Sequence, residues 1–403
     1  MINQNFKNLF LGRSISNIGD SLYSVGLSWY IFALTNSGFW VGILNFALFL
    51  PNLFSFMLGD FIERHNKQKL LIYVEVIQGI LLIPIILLVA LKVSITIKAI
   101  SICILAFMIS TVGMNSYVIQ DTIMPDLVPQ NKLSKASMYM SFAYNTMDYI
   151  GNALGGVLLK AFSVLYILVI DIISFFISTL FFIRVKDKPG VEELEEQENS
   201  DKSSIFSGMQ LIWNRKDLLV ITVFGGLGNF FFGGLAVYDV LIGKELGGSG
   251  FYGIILAIES IGVAIGSTLV ANLFLKLVNL GKLFSVSNIG MGIFLIISLM
   301  FKSNLLFLSL WMLAFIFQGL NRVVITPYLQ VSIGSGQRAK FFSSFNTLTV
   351  ATFPIGSLFF GALSTRIDWR IFVFGFALFM LLSSLLFILN RKIYEFKEPK
   401  KED

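Results

Sequence analysis

Runs of Leu, Ile, Phe and Val recur along the whole chain and are broken by short polar stretches carrying Gly, Pro, Asn and Lys. A helix of about 20 apolar residues crosses the ~30 Å hydrocarbon layer of a bilayer. The runs lack the alternation of a barrel strand, and lipid cannot hydrogen-bond an open backbone, so the pattern predicts membrane helices. Spans are expected near 10–34, 38–61, 69–91, 97–119, 137–159 and 163–184, then near 217–240, 249–275, 282–301, 305–328, 341–364 and 370–390. The stretch between the two sets differs. Pro189-Gly190, the acidic run Glu192 to Glu198 and Ser203-Ser204 read as a solvated linker. At its end Ile205, Phe206, Met209, Ile212 and Trp213 have helical spacing, which suits a helix lying on the membrane surface; a plain loop fits equally.

The expected fold is therefore an all-α membrane protein, with twelve transmembrane helices in two six-helix bundles, 1–185 and 217–403, joined by a cytoplasmic linker over 186–216. Basic loop residues set the orientation. Placing both termini and the linker on one side collects 22 of the 30 Lys and Arg there, counting Lys7 and Arg13 at the N-terminal end. The other side holds the 7 residues Lys92, Lys98, Lys160, Lys244, Lys302, Arg366 and Arg370. Both termini and the linker are thus expected in the cytoplasm. The halves also echo one another: Ser141-Phe142 with Gly151 and Gly156 parallels Ser344-Phe345 with Gly356 and Gly361, as duplication of a six-helix unit predicts.

Composition narrows the function. Charged residues make up 13% of the chain against about 25% in a soluble protein, and 56% are hydrophobic. The net charge of +6 is scattered among short loops, which argues against nucleic acid as a partner. One cysteine, Cys103, and one histidine, His65, exclude a disulfide framework and a paired-histidine metal site. There is no G-x-x-x-x-G-K-[ST] loop for an ATP-driven pump and no Ser/His/Asp set for an enzyme. The apolar run from Phe10 to Leu34 is too long for a signal peptide and reads as a retained first span. No cofactor is expected.

Three local patterns carry a resemblance. Loop 2–3 reads Gly59-Asp60-Phe61-Ile62-Glu63-Arg64-His65-Asn66-Lys67-Gln68, against the pattern G-x-x-x-D-R-x-G-R-R. The start reads Leu11-Gly12-Arg13 through Ser16-Asn17-Ile18-Gly19-Asp20-Ser21-Leu22, with Met124-Pro125-Asp126-Leu127-Val128-Pro129 in loop 4–5. Span five carries Gly151-Asn152-Ala153-Leu154-Gly155-Gly156, against the antiporter pattern G-P-x-x-G-G. On these the chain resembles the major facilitator superfamily, specifically its bacterial drug:proton antiporter-3 branch of macrolide and siderophore exporters. The resemblance implies a small-molecule substrate, protons as the driving ion, and Gly59, Glu63, Arg64 and Lys67 as a loop that controls conformational switching. It implies close helix packing at Gly151, Asn152, Gly155 and Gly156. The proline of the antiporter pattern is Asn152 here, and span four lacks the arginine of related drug antiporters, so an importer or uniporter of a metabolite, or a sensor, stays open. The expected working unit is a monomer.

A charge at mid-bilayer costs roughly 2.5–3.5 kcal/mol on the insertion scale, so one that persists needs a partner, a cavity or a task. Asp20, Asp148 and Glu259 lie near the middle of their spans and are the proton-coupling candidates, because a carboxyl in a dehydrated cavity can take and release protons. Ser16, Ser24 and Ser28 continue the face of Asp20; Ser141, Tyr144, Asn145, Asn152 and Gly155 that of Asp148. Gly262 and Gly266 beside Glu259 point to a close helix crossing, and Arg322, sharing a face with Gln318 and Thr326, is the counter-charge candidate. Glu75, Asp171 and Asp239 lie nearer span ends and are expected in structural or interfacial roles. Phe230, Phe231 and Phe232 with Phe315 and Phe317 are candidate walls for a bulky ligand.

Overall fold

The computed structural model describes residues 3–58, 62, 65–186, 204–274, 279–334 and 337–396. The apolar runs become helices in the expected places: α1 Gln4–Thr35, α2 Gly38–Phe49, α3 Lys67–Ala90, α4 Ile95–Leu127, α5 Leu133–Ser141, α6 Met147–Ala161 and α7 Val164–Ile183. A 3₁₀ stretch, Leu50–Leu58, continues α2, and a π-helical turn, Phe142–Thr146, joins α5 to α6. Then come α8 Ser204–Asn214, α9 Lys216–Leu246, α10 Ser249–Ile265, α11 Ala271–Phe274, α12 Leu280–Ser298, α13 Asn304–Ser332, α14 Arg338–Val350, α15 Thr352–Leu363, α16 Trp369–Leu389 and α17 Arg391–Tyr394. A second π-helical turn, Gly266–Val270, separates α10 from α11. The described residues contain no β-strand, and nine helical stretches among them are long and apolar enough to cross a membrane.

Local chemistry sets the helix ends. The Asn3 side chain accepts from the Phe6 amide to cap α1, and Asn66 does the same for Lys69 at the start of α3. Asn36, at φ 53°, ends α1 in the left-handed region that Asn tolerates, with its amide on Phe32 O. Gly248, at φ 76°, makes the turn between α9 and α10.

The helices gather into two compact units, Met1–Gln197 with Gly247–Ile254, and Glu198–Leu246 with Ile255–Asp403. In the first, α1 packs against α2, α4, α6 and α7. Gly12, Gly19 and Gly26 recur every seventh residue on its α7 face; a Cβ would strike the Phe182 ring at the first, Ser174 and Asp171 at the second, and would crowd Ile167 at the third. This is the spacing that keeps one seam of a helix against a left-handed neighbour. On another face, Gly151 of α6 sits against Ser21 and the Ile18 carbonyl, and Gly155 against Val25 and Leu22. The last carbonyls of α7, orphaned by the helix end, accept side-chain amides: Gln68 Nε2 donates to Ile183 O at 2.9 Å and Asn8 Nδ2 to Arg184 O at 3.3 Å.

The second unit repeats the device. Gly233 of α9 meets the backbone of Phe353, and Gly356 of α15 meets the backbone of Phe230. Gly262 and Gly266 lie against Met312, Phe315 and Ile316 of α13, the close crossing expected beside Glu259. Phe231 stacks on Phe376 and Phe379 of α16, and Phe230 packs on Phe359 and Phe360 of α15; Phe315 lies beside Trp311, and Phe317 stacks on Phe294. These rings therefore spend much of their surface holding helices together. The segment Ser204–Asn214 is helical, packs on α14 and α9, buries Ile212 and leaves Trp213 76% exposed.

Candidate functional site

The polar stripe of α1 is where chemistry concentrates. Arg13, Asn17 and Asp20 follow one another at four and three residues, on one face of the helix. The Arg13 side chain is 2% exposed, and its Nη2 lies 3.7 Å from Asp20 Oδ2, whose side chain is 31% exposed. Nη2 also donates to Asn17 Oδ1 at 2.8 Å and Nη1 to Ser116 Oγ of α4 at 3.4 Å, while Nε has no acceptor. The guanidinium lies over the Tyr117 ring, 4.2 Å from its centroid, and 5.6 Å from that of Tyr144.

Around this ion the hydroxyls and amides close a network. Tyr117 Oη donates to Asn17 Oδ1 at 3.1 Å, and Asn17 Nδ2 donates to the Tyr144 carbonyl at 2.7 Å, inside the π-helical turn. Tyr144 Oη reaches Gln120 Oε1 at 3.0 Å, and Gln120 Nε2 returns to Ser116 Oγ at 2.9 Å. An unpaired buried charge costs several kcal/mol, so an arginine held this way commits α1, α4 and the π-helical turn to its position.

Sequence reasoning missed Arg13 as a site residue. Its place near the N-terminal end fits a cytoplasmic anchor, but in the structure it points into the first unit, because α4 and the π-helical turn supply the ring faces and oxygens that a guanidinium needs. The signal available was its spacing to Asn17 and Asp20. Glu75 and Asp171, expected in structural or interfacial roles, are 0% and 1% exposed. Asp239, also fully enclosed, has one oxygen without a donor.

The structure brings Asp20 and Asp148 to neighbouring positions on one seam: Ser21 Oγ, one residue beyond Asp20, donates to Asp148 Oδ1 at 2.5 Å. Glu259 belongs to the second unit, where the Trp311 indole donates to its Oε1 at 2.8 Å. Arg322 lies in α13, and its side chain is outside the described residues, as are Gly59, Glu63 and Arg64. Lys67 forms an exposed ion pair of 3.1 Å with Asp126, which ties loop 2–3 to the end of α4. Gly151 and Gly155 make the α1–α6 contact, Asn152 is half-buried on the same helix, and Gly156 meets the backbone of Gly253.

Residues 1–402 match the sequence profile of the transmembrane secretion effectors of the major facilitator superfamily. The chain belongs to this family. As a transmembrane secretion effector homologue it is a multi-pass membrane transporter of small molecules. It is similar to the staphyloferrin A transporter of Staphylococcus aureus (strain NCTC 8325 / PS 47), 23% identical over 357 residues that cover 87% of each chain. Among solved structures it resembles a bacterial homologue of the iron transporter ferroportin, with TM-score 0.73 and 15% identity over 96% of this chain and 99% of that one. It also resembles the xylose transporter XylE from E. coli, with TM-score 0.67 and 12% identity over 99% and 98% of the two chains. At these identities the two structures establish the fold alone.

Proposed function

We propose that this transporter exports small amphipathic compounds, such as a drug, a macrolide or a siderophore-like product, by proton-coupled alternating access. In this reading the chain is a monomer of twelve spans in a bacterial cytoplasmic membrane, with 1–185 and 217–403 as the two bundles, 186–216 as linker and both termini in the cytoplasm. The observation that carries it is the Arg13–Asp20 pair, in which a fully buried, permanently charged cation faces a partly exposed carboxylate at 3.7 Å. Protonating Asp20 removes the counter-charge of an ion that touches α4 directly and reaches the π-helical turn through Asn17, so proton uptake changes what holds α1 against its neighbours. Asp148, bonded through Ser21, is the second carboxyl of the seam. The siderophore-exporting members of the resembling branch and the staphyloferrin A transporter support the cargo class.

Inverted membrane vesicles test it. A pH gradient should drive accumulation of a labelled macrolide or siderophore in wild type. Asp20→Asn should reduce it to the level seen without a gradient, while downhill exchange of the same compound continues. Full pH-driven accumulation in both Asp20→Asn and Asp148→Asn would remove this pair as the coupling carboxyls and make Glu259 the next residue to replace.

A further inference from the structure

Glu75 plays no part in that mechanism, yet it is the most completely enclosed acid of the first unit. It lies within α3; its Oε1 accepts from Ser16 Oγ at 3.2 Å, and its Oε2 meets no donor. It enters none of the ion pairs formed among the described residues. Ser16 stands between Arg13 and Asp20 on α1, so Glu75 sits level with the gap between the members of that pair. Arg13 Nε, also without a partner, leaves the guanidinium one unused donor.

From α1 come Arg13, Asp20 and Tyr23, whose buried hydroxyl also has no partner; from α7 come Asp171 with Ser174 and Ser178. Asp171 Oδ1 accepts from Ser174 Oγ at 3.2 Å, its Oδ2 is unpartnered, and so is Ser178 Oγ one turn beyond. Among these groups there is one cation and three carboxyls. A buried carboxylate without a cation is strongly disfavoured, so while Arg13 is paired with Asp20 neither Glu75 nor Asp171 has a cation to offset a charge of its own.

We propose that Glu75 is a second proton site of the transporter, and that Arg13 exchanges Asp20 for Glu75 as counter-ion when the proton moves between them. The inference rests on the proton-coupled reading above. In the resting state of this exchange Arg13 pairs with Asp20 and Glu75 holds the proton. The proton then passes from Glu75 to Asp20, with Ser16 Oγ as the bridging hydroxyl, and the freed Glu75 carboxylate takes the place of Asp20 opposite the Arg13 guanidinium. One carboxyl loses the proton that the other gains, and the single cation is never without an anion. The exchange turns a local titration into a sideways pull of α3 on α1.

Infrared difference spectroscopy of the full chain in lipid vesicles, taken between alkaline and acidic pH in water and in deuterium oxide, tests this directly. A deuterium-sensitive carbonyl band of a protonated carboxyl should be present in wild type and Asp171→Asn, absent in Glu75→Gln, and shifted in Glu75→Asp. In vesicle assays Glu75→Gln should lose pH-driven accumulation of the labelled compound and keep downhill exchange. A Glu75→Gln spectrum identical to wild type overturns the proposal. So does full pH-driven accumulation in that variant. If Glu75→Gln does not reach the membrane, an unshifted band in Glu75→Asp overturns it equally. Should a pH gradient drive no transport in wild type, the exporter reading fails, and the band still decides whether Glu75 holds a proton.

Discussion

At the scale of single residues the first unit is organised around a cation. Arg13 has its plane against Tyr117 and its donors spread over Asn17, Ser116 and Asp20. A lysine keeps the charge but has neither the flat face nor the forked donors. Arg13→Lys should therefore reach the membrane in reduced amount and transport at a lower maximal rate, with both deficits larger than for Asn17→Ser; quantitative immunoblotting alongside vesicle uptake separates yield from turnover. In the second unit Trp311→Phe removes the indole hydrogen bond to Glu259 Oε1 and preserves most of the packing. Losing a hydrogen bond to a charged or buried polar group costs about 1–3 kcal/mol. The detergent-solubilised variant should melt below wild type, and adding Glu259→Gln should bring little further loss if the two act as one unit, which a double-mutant cycle measures.

Among the elements, α1 makes the closest use of small residues. Gly19→Val would push a branched side chain into Ser174 and Asp171, and overpacking of this kind costs about 1–3 kcal/mol. A clear fall in melting temperature and in membrane yield is expected. Gly228→Ala, in α9, meets nothing within 4 Å and should leave both unchanged or slightly raised. Thermal-shift measurements on the pair separate seam glycines from those that merely reside in a helix. The helices themselves could be placed from hydropathy to within a few residues, because lipid allows little else. The Gly12, Gly19 and Gly26 repeat was equally open to inspection, but it lies among polar residues, and attention to charge in that helix hid the heptad. The mid-span acids Asp20 and Asp148 could be picked out for the same reason that Glu75 could not. Hydropathy locates a charge along a helix axis, whereas Glu75 is defined by what stands beside it, Ser16 and the α7 serines, and no periodicity in α3 reports a neighbour. Arg13 failed differently, since a basic residue close to a chain terminus fits the anchor pattern until the rings of α4 and the π-helical turn are seen around it.

For the whole molecule, topology is the first quantity to measure. Reporter fusions at Ser200 and at Asp403 should both give a cytoplasmic signal, and an external signal from either would overturn the orientation drawn from the basic residues. The burial of Arg13 takes one residue from the cytoplasmic side of that asymmetry and leaves its sign unchanged. The same burial bears on how the protein is made. With Arg13, Asp20 and its run of serines, α1 is absent from the nine helices apolar enough to cross a membrane by their own composition. Its counter-surface on α7 emerges from the ribosome only after α2 to α6 have been synthesised. The nascent first helix is therefore expected to wait, either in the insertion machinery or partly in the headgroup layer, until α7 arrives to cover its glycine seam. A truncated chain ending before Val164 should leave α1 extractable by alkaline carbonate and sensitive to membrane proteases, whereas one extended past Ile183 should resist both. Assembly of this transporter would then be paced by the arrival of α7, and α1, made before it, would be among the last helices of the first unit to settle.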